Sequence, residues 1–94
     1  MSQFYVIVYD IPCNKRRKKI ADLLEGYGQR VQYSVFECVL FPEKYKELKR
    51  RLRKRIKTKE DSIRIYPLKS SALSRVEIWG ASPPLTQLPG SVVV

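Results

Sequence analysis

Segments with extended and helical patterning follow one another in the order strand, helix, two strands, helix, strand, which predicts an α+β chain folded as a ferredoxin-like βαββαβ sandwich. In that fold two helices cover one face of an antiparallel sheet. Three observations carry the prediction. An unbroken apolar run, FYVIVY at residues 4–9, is closed by Asp10 and Ile11-Pro12. Two later stretches repeat apolar residues at helical spacing, and the segments between and after them alternate with a period of two. The chain has 94 residues, no internal repeat and no dividing linker, so one domain is expected at residues 1–80, followed by a tail at 81–94. A core of this size has a small stability margin, which favours self-association.

The first strand, residues 4–10, is apolar on both sides and β-branched at Val6, Ile7 and Val8, so it is expected inside the sheet and covered on both faces. It must stop at Asp10, because Pro12 has no N–H for a continuing ladder and holds Ile11 extended or in a turn. Residues 15–27 place Ile20, Leu23, Leu24 and Tyr27 on one helical face, with Asn14 as the expected cap and Gly28 as the stop. The first turn of this helix reads KRRKK at residues 15–19, cationic at the end where the helix dipole prefers anions. Local stability does not explain that choice. A phosphate bound there would, since backbone N–H groups and basic side chains would converge on it; a solvated lysine-rich face is the other meaning of such a run.

Residues 30–41 alternate throughout and are expected to form two short strands with a reversal or bulge near residues 33–35. Pro42 suits the first turn of a second helix at residues 43–57, whose buried stripe is Tyr45, Leu48, Leu52 and Ile56. The rest of that helix is dense in Lys and Arg, a surface suited to a phosphate backbone. Residues 61–68 turn Ile63 and Ile65 inward against Ser62 and Arg64, the pattern of a half-buried strand. A polar loop at 69–74 leads to a further strand at 76–79, ended by Gly80. The tail carries Pro83, Pro84 and Pro89; within it, residues 92–94 are suited to pair with a sheet edge of a neighbouring chain or to fray. Two helices leave the second sheet face bare, and a second copy of the chain is the simplest cover, giving a homodimer with facing sheets.

Composition narrows the function. Nineteen Lys and Arg stand against nine Asp and Glu, a net charge of +10, which favours a polyanionic partner and above all nucleic acid. A basic membrane-surface protein is the rival. No stretch reaches the roughly 20 apolar residues of a membrane span, and Met1-Ser-Gln is not a basic signal-peptide start, so a cytoplasmic location is expected. Cys13 and Cys38 form no metal-binding or redox spacing and read as reduced thiols. The chain has no histidine. With the usual general base and zinc ligand missing, a hard metal on carboxylate is the remaining route to catalysis. Asp10, fixed at the rim of a rigid strand, is the candidate; its plainer meaning is a turn-former accepting the N–H groups that follow.

Taken together, YVIVYDIP at 5–12, the basic helix start at 15–19, VQYSVFE at 31–37, DSIRIYPL at 61–68 and VEIWG at 76–80 resemble the CRISPR-associated Cas-two family. The resemblance implies a ferredoxin-like homodimer that binds duplex DNA with the Cas-one integrase during spacer acquisition. It also implies an Mg2+- or Mn2+-dependent endonuclease activity on single-stranded RNA or double-stranded DNA. Asp10 matches the strand-end aspartate of the family, two of which face one metal ion per dimer. Lys15, Arg16, Arg17, Lys19 and Arg30 are the implied nucleic-acid contacts. Tyr9, Ser34 and Phe36 match or adjoin supporting positions, with packing an equal reading for Tyr9 and Phe36. In the family a tail such as 81–94 adds an edge strand to the partner subunit. A toxin-like ribonuclease, or a basic nucleic-acid-binding regulator of the same fold, is the alternative outside CRISPR.

Overall fold

The structure is a computed structural model and describes residues 1–87. The apolar run becomes β1 (Gln3–Asp10), which lies between β3 (Val35–Leu40) and β4 (Ser62–Leu68); β2 (Gln29–Gln32) flanks β3, giving the order β2-β3-β1-β4. Every neighbouring pair is antiparallel. The connections contain α1 (Asn14–Glu25) and α2 (Pro42–Arg53), and the short α3 (Ser70–Leu73) follows β4. This is the expected ferredoxin-like sandwich.

Alternation along the strands decides what is buried. Register pairs Tyr5 with Cys38 and Ile7 with Phe36, so these four share one face, and all four are buried. Onto that face α1 lays Ile20, Ala21, Leu23 and Leu24, and α2 lays Leu48 and Leu52. The Tyr45 ring stacks on Tyr5 with centroids 4.0 Å apart, while Ile56, Ile63 and Ile65 close the margin. Burial pushes the Cys38 thiol up to about 12, which keeps it protonated and inert. On the opposite face Phe4 is buried, but Val6, Val8, Val35 and Val39 are only half-buried and Tyr66 is exposed. The tail returns to this side: the Thr86 N–H donates to Glu37 Oε1 at 3.1 Å and its hydroxyl to Gln29 Oε1 at 3.4 Å.

Five expectations need correcting. The cap of α1 is Cys13, without a side-chain capping bond; the Asn14 carbonyl oxygen is engaged instead by the Arg17 guanidinium. The helix α1 stops at Glu25, before Gly28. The helix α2 stops at Arg53, short of residue 57, because the Asp61 carboxylate takes the Lys57 N–H at 2.8 Å and bends the chain toward β4. The loop at 69–74 contains α3. Residues 76–79 join no ladder, and Val76, Ile78 and Trp79 are exposed. A strand exists only with a hydrogen-bonding neighbour, and among the described residues this segment pairs with neither open edge of the sheet, β2 or β4. The edge strand expected at 92–94 lies outside the described residues.

Gly28 is required for space and not for a left-handed stop. A Cβ there would lie 2.2 Å from the Glu37 carbonyl oxygen and 2.5 Å from the Cys38 sulfur. The first of these is backbone of β3 and cannot swing aside. Gly28→Ala is therefore expected to cost about 1–3 kcal/mol, as overpacking against a rigid neighbour does, measured by chemical denaturation. An unchanged midpoint would show that β2 can move away from β3 freely.

A candidate nucleic-acid interface around the first strand end

The end of β1 presents Asp10 to solvent, opposite Ser62 of β4. Ile11, 2% exposed, then anchors the turn in the core. Arg17 reaches back over this turn: its Nη1 donates to the Ile11 carbonyl at 2.9 Å and to that of Pro12 at 3.5 Å, and its Nη2 to Asn14 Oδ1. All three acceptors are neutral. The guanidinium is thus held in place with no ion-pair partner among the described residues, a fit for a phosphate oxygen.

Arg16 has a different partner. Its Nε donates to Asp61 Oδ2 at 2.8 Å and its Nη2 to Asp61 Oδ1 at 3.0 Å, a bidentate pair whose Asp61 side chain is fully buried. Glu60 adds a longer contact at 3.3 Å. The hydrogen bond from Arg16 holds the Asp61 carboxyl below its ordinary value and the guanidinium above its own. Arg16 therefore ties the start of α1 to the segment entering β4, and its charge is spent there. No local signal distinguishes it from Arg17, since its partner lies 45 residues away.

Lys15 and Lys19 are exposed on α1 and form no ion pair among the described residues. Lys19 borders a saddle of about 680 Å³ whose other cations, Arg51, Lys54 and Arg55, come from α2 and its C-terminal turn. The two basic runs of the sequence thus meet on one surface, which sequence spacing does not reveal. Arg51 is partly engaged: it donates to the Tyr27 hydroxyl at 2.8 Å, and that hydroxyl donates to Glu47, which lowers the Glu47 carboxyl.

Arg30 lies across the Phe36 ring, 5.4 Å from its centroid, with Glu25 at 3.8 Å. Phe36 is fully buried and Tyr9 is 3% exposed, so both pack as core residues under the site. Their rings stack at 6.3 Å. Half-buried Ser34 contributes its carbonyl, which accepts the Tyr9 N–H at 3.1 Å. Tyr9, Arg17, Arg30 and Tyr33 line one cleft of about 340 Å³ between α1 and the turn linking β2 to β3. Cys13, half-buried, has its thiol lowered by the nearby Arg16 backbone N–H.

Among the described residues no three Cys, Asp or Glu side chains group closely enough to hold a metal. Asp10 supplies one accessible hard oxygen donor, which suits half of a site that a second protomer would complete. No described helix is long and apolar enough to cross a membrane.

Comparison with known proteins gives a consistent set of relatives. The family model described as CRISPR associated protein Cas2 matches residues 1–76. A CRISPR-associated endoribonuclease Cas2 of Synechocystis is 64% identical over 90 residues, covering 96% of this chain and 97% of the relative. The crystal structure of Streptococcus pyogenes Cas2 is 40% identical with a TM-score of 0.73, covering 82% of this chain and 99% of that one. A chain in a structure described as a partial Cas6-RT-Cas1–Cas2 complex is 34% identical with a TM-score of 0.72, covering 81% and 89% of the two chains.

Proposed function

The chain belongs to the CRISPR-associated Cas2 family, and from that premise we propose that it works in CRISPR adaptation as a homodimer that holds duplex DNA beside a Cas1 integrase. In this reading Asp10 of each protomer holds a shared Mg2+ or Mn2+ ion, and the dimer hydrolyses phosphodiesters of single-stranded RNA or duplex DNA. The observation that carries it is the pairing of exposed Asp10 with an uncompensated Arg17 in one turn. Two carboxylates with waters and a phosphate oxygen make an ordinary octahedral set. When bound, the metal supplies polarisation of the phosphorus centre and an activated water. Arg17 orients and neutralises the phosphate, and Lys15 and Lys19 extend the contact along the strand.

The half-buried valines of the second sheet face and the exposed Val76, Ile78 and Trp79 support the homodimer, because both lack cover among the described residues. The relative found in a Cas1–Cas2 complex supports the integrase partnership.

Duplex affinity tests the basic surface. It should fall steeply with salt, with a log–log slope of about −0.9 per phosphate neutralised. Replacing both Lys15 and Lys19 by alanine should flatten that slope by about two. A wild-type slope near zero, or an unchanged slope in the double variant, would refute this surface as the DNA contact.

A further inference from the structure

Tyr33 stands apart from the other exposed aromatic residues. Trp79, Tyr66 and Phe41 are also exposed, but Trp79 belongs to an apolar segment fitted for chain pairing and Phe41 is the residue that caps the start of α2. Tyr66 lies on the second sheet face with Arg64 bonded to its hydroxyl at 3.0 Å. Tyr33 is 73% exposed at the tip of the two-residue turn between Gln32 and Val35. No residue of that turn has a positive φ, so the backbone makes no demand for any particular side chain.

Beside it lies a cleft lined by charged side chains. Tyr33, Arg17 and Arg30 border the same cleft of about 340 Å³, which Lys18, Asp22 and Glu25 also line, at the small end of the range of small-ligand clefts, roughly 300–1,000 Å³; Asp22 is paired with Lys18 at 3.1 Å and Glu25 lies 3.8 Å from Arg30, so Arg17 brings the cleft its unpaired positive charge among the described residues. The backbone that carries Tyr33 is fixed from beneath. Buried Tyr9 donates its hydroxyl to the Tyr33 carbonyl at 3.5 Å and its N–H to the Ser34 carbonyl at 3.1 Å. Arg30 is held over Phe36, and Arg17 by the carbonyls of the turn after Asp10. A rigid aromatic face beside cations is how single-stranded nucleic acid is held without sequence preference.

We propose that this cleft binds one unpaired nucleotide, its base stacked on Tyr33 and its phosphate against Arg30 and Arg17. The proposal rests on the nucleic-acid reading above and adds a single-strand subsite to it. The nucleotide can come from a single-stranded RNA or from the unpaired end of a DNA duplex; the chemistry of recognition is the same.

The test measures affinity of the full-length protein for a blunt DNA duplex, the same duplex with a short single-stranded extension, and an RNA oligonucleotide. Wild type, Tyr33→Phe and Tyr33→Ala are compared. Wild type should favour the extended duplex or the RNA over the blunt duplex. Tyr33→Ala should lose about tenfold on that ligand and nothing on the blunt duplex, while Tyr33→Phe keeps the wild-type value. Loss on the extended duplex assigns the subsite to DNA ends, and loss on RNA alone assigns it to RNA. Equal affinities of wild type and Tyr33→Ala for all three ligands, with blunt binding intact, would overturn the subsite and leave the nucleic-acid reading standing. Absence of all binding in wild type would overturn both.

Discussion

Asp10→Ala is expected to reduce metal-dependent cleavage to background while duplex binding stays at the wild-type level or tightens. Among the described residues Asp10 is the one carboxylate of β1, and its removal from both protomers would take away the anionic ligands that a hard metal requires there. The same change deletes a negative charge from the strand end that leads into the turn bonded by Arg17, so attraction for phosphate should if anything increase. Asp10 is exposed and paired only through the backbone register with Ser62, so the fold should tolerate the change. The measurement is cleavage of labelled single-stranded RNA and duplex DNA with Mg2+ or Mn2+, with and without chelator, beside a binding assay. Cleavage that survives the substitution would remove Asp10 as the metal ligand. Binding without cleavage in wild type and variant alike would make the chain a scaffold.

Asp61→Ala should produce the largest loss of stability of any single charge removal. Its buried carboxylate accepts two bonds from Arg16 and one from the Lys57 N–H at 2.8 Å. Without it a largely buried guanidinium and a backbone donor are left unpaired, the costly case for buried ion pairs. A fall in the thermal midpoint on the order of 10 °C is expected for a domain of this size. Glu60→Ala, which removes only the exposed contact to Arg16, should shift it by a few degrees at most. Because the folded-state carboxyl of Asp61 is held below its ordinary value of 3.8 by Arg16, its contribution is complete above that value. It is lost as pH falls further, through the lower folded-state value. Thermal melts of wild type between about pH 5 and pH 2 should therefore decline more steeply than those of Asp61→Ala. Parallel curves would show that the pair contributes nothing linked to this proton.

Much of the scaffold is written in local patterns. The six-residue apolar run fixed the inner strand, the stripes Ile20, Leu23, Leu24 and Leu48, Leu52 fixed both helices, and Ile63 and Ile65 fixed the face of β4. Motifs along residues 5–80, none decisive alone, carried the family, whose model matches residues 1–76. The strand end at Asp10 followed from one proline. The site was less legible. Arg16 and Arg17 are neighbours of one type on one helix turn, yet the first is neutralised by Asp61 and the second is not. Tyr9 and Phe36 looked equally able to pack or to meet a ligand until burial assigned them to the core.

By itself, then, the sequence determined the fold class, the element order, the apolar faces and the position of Asp10. Each depends on periodicity or on a backbone restriction felt within a few residues. Only the tertiary structure decided which arginine keeps its charge, why Gly28 must lack a side chain, where the two basic runs meet, and that residues 76–79 have no ladder partner among the described residues. Those outcomes depend on atoms brought together from distant parts of the chain, and a charge, a close contact or a strand edge acquires its meaning from the neighbour that folding supplies.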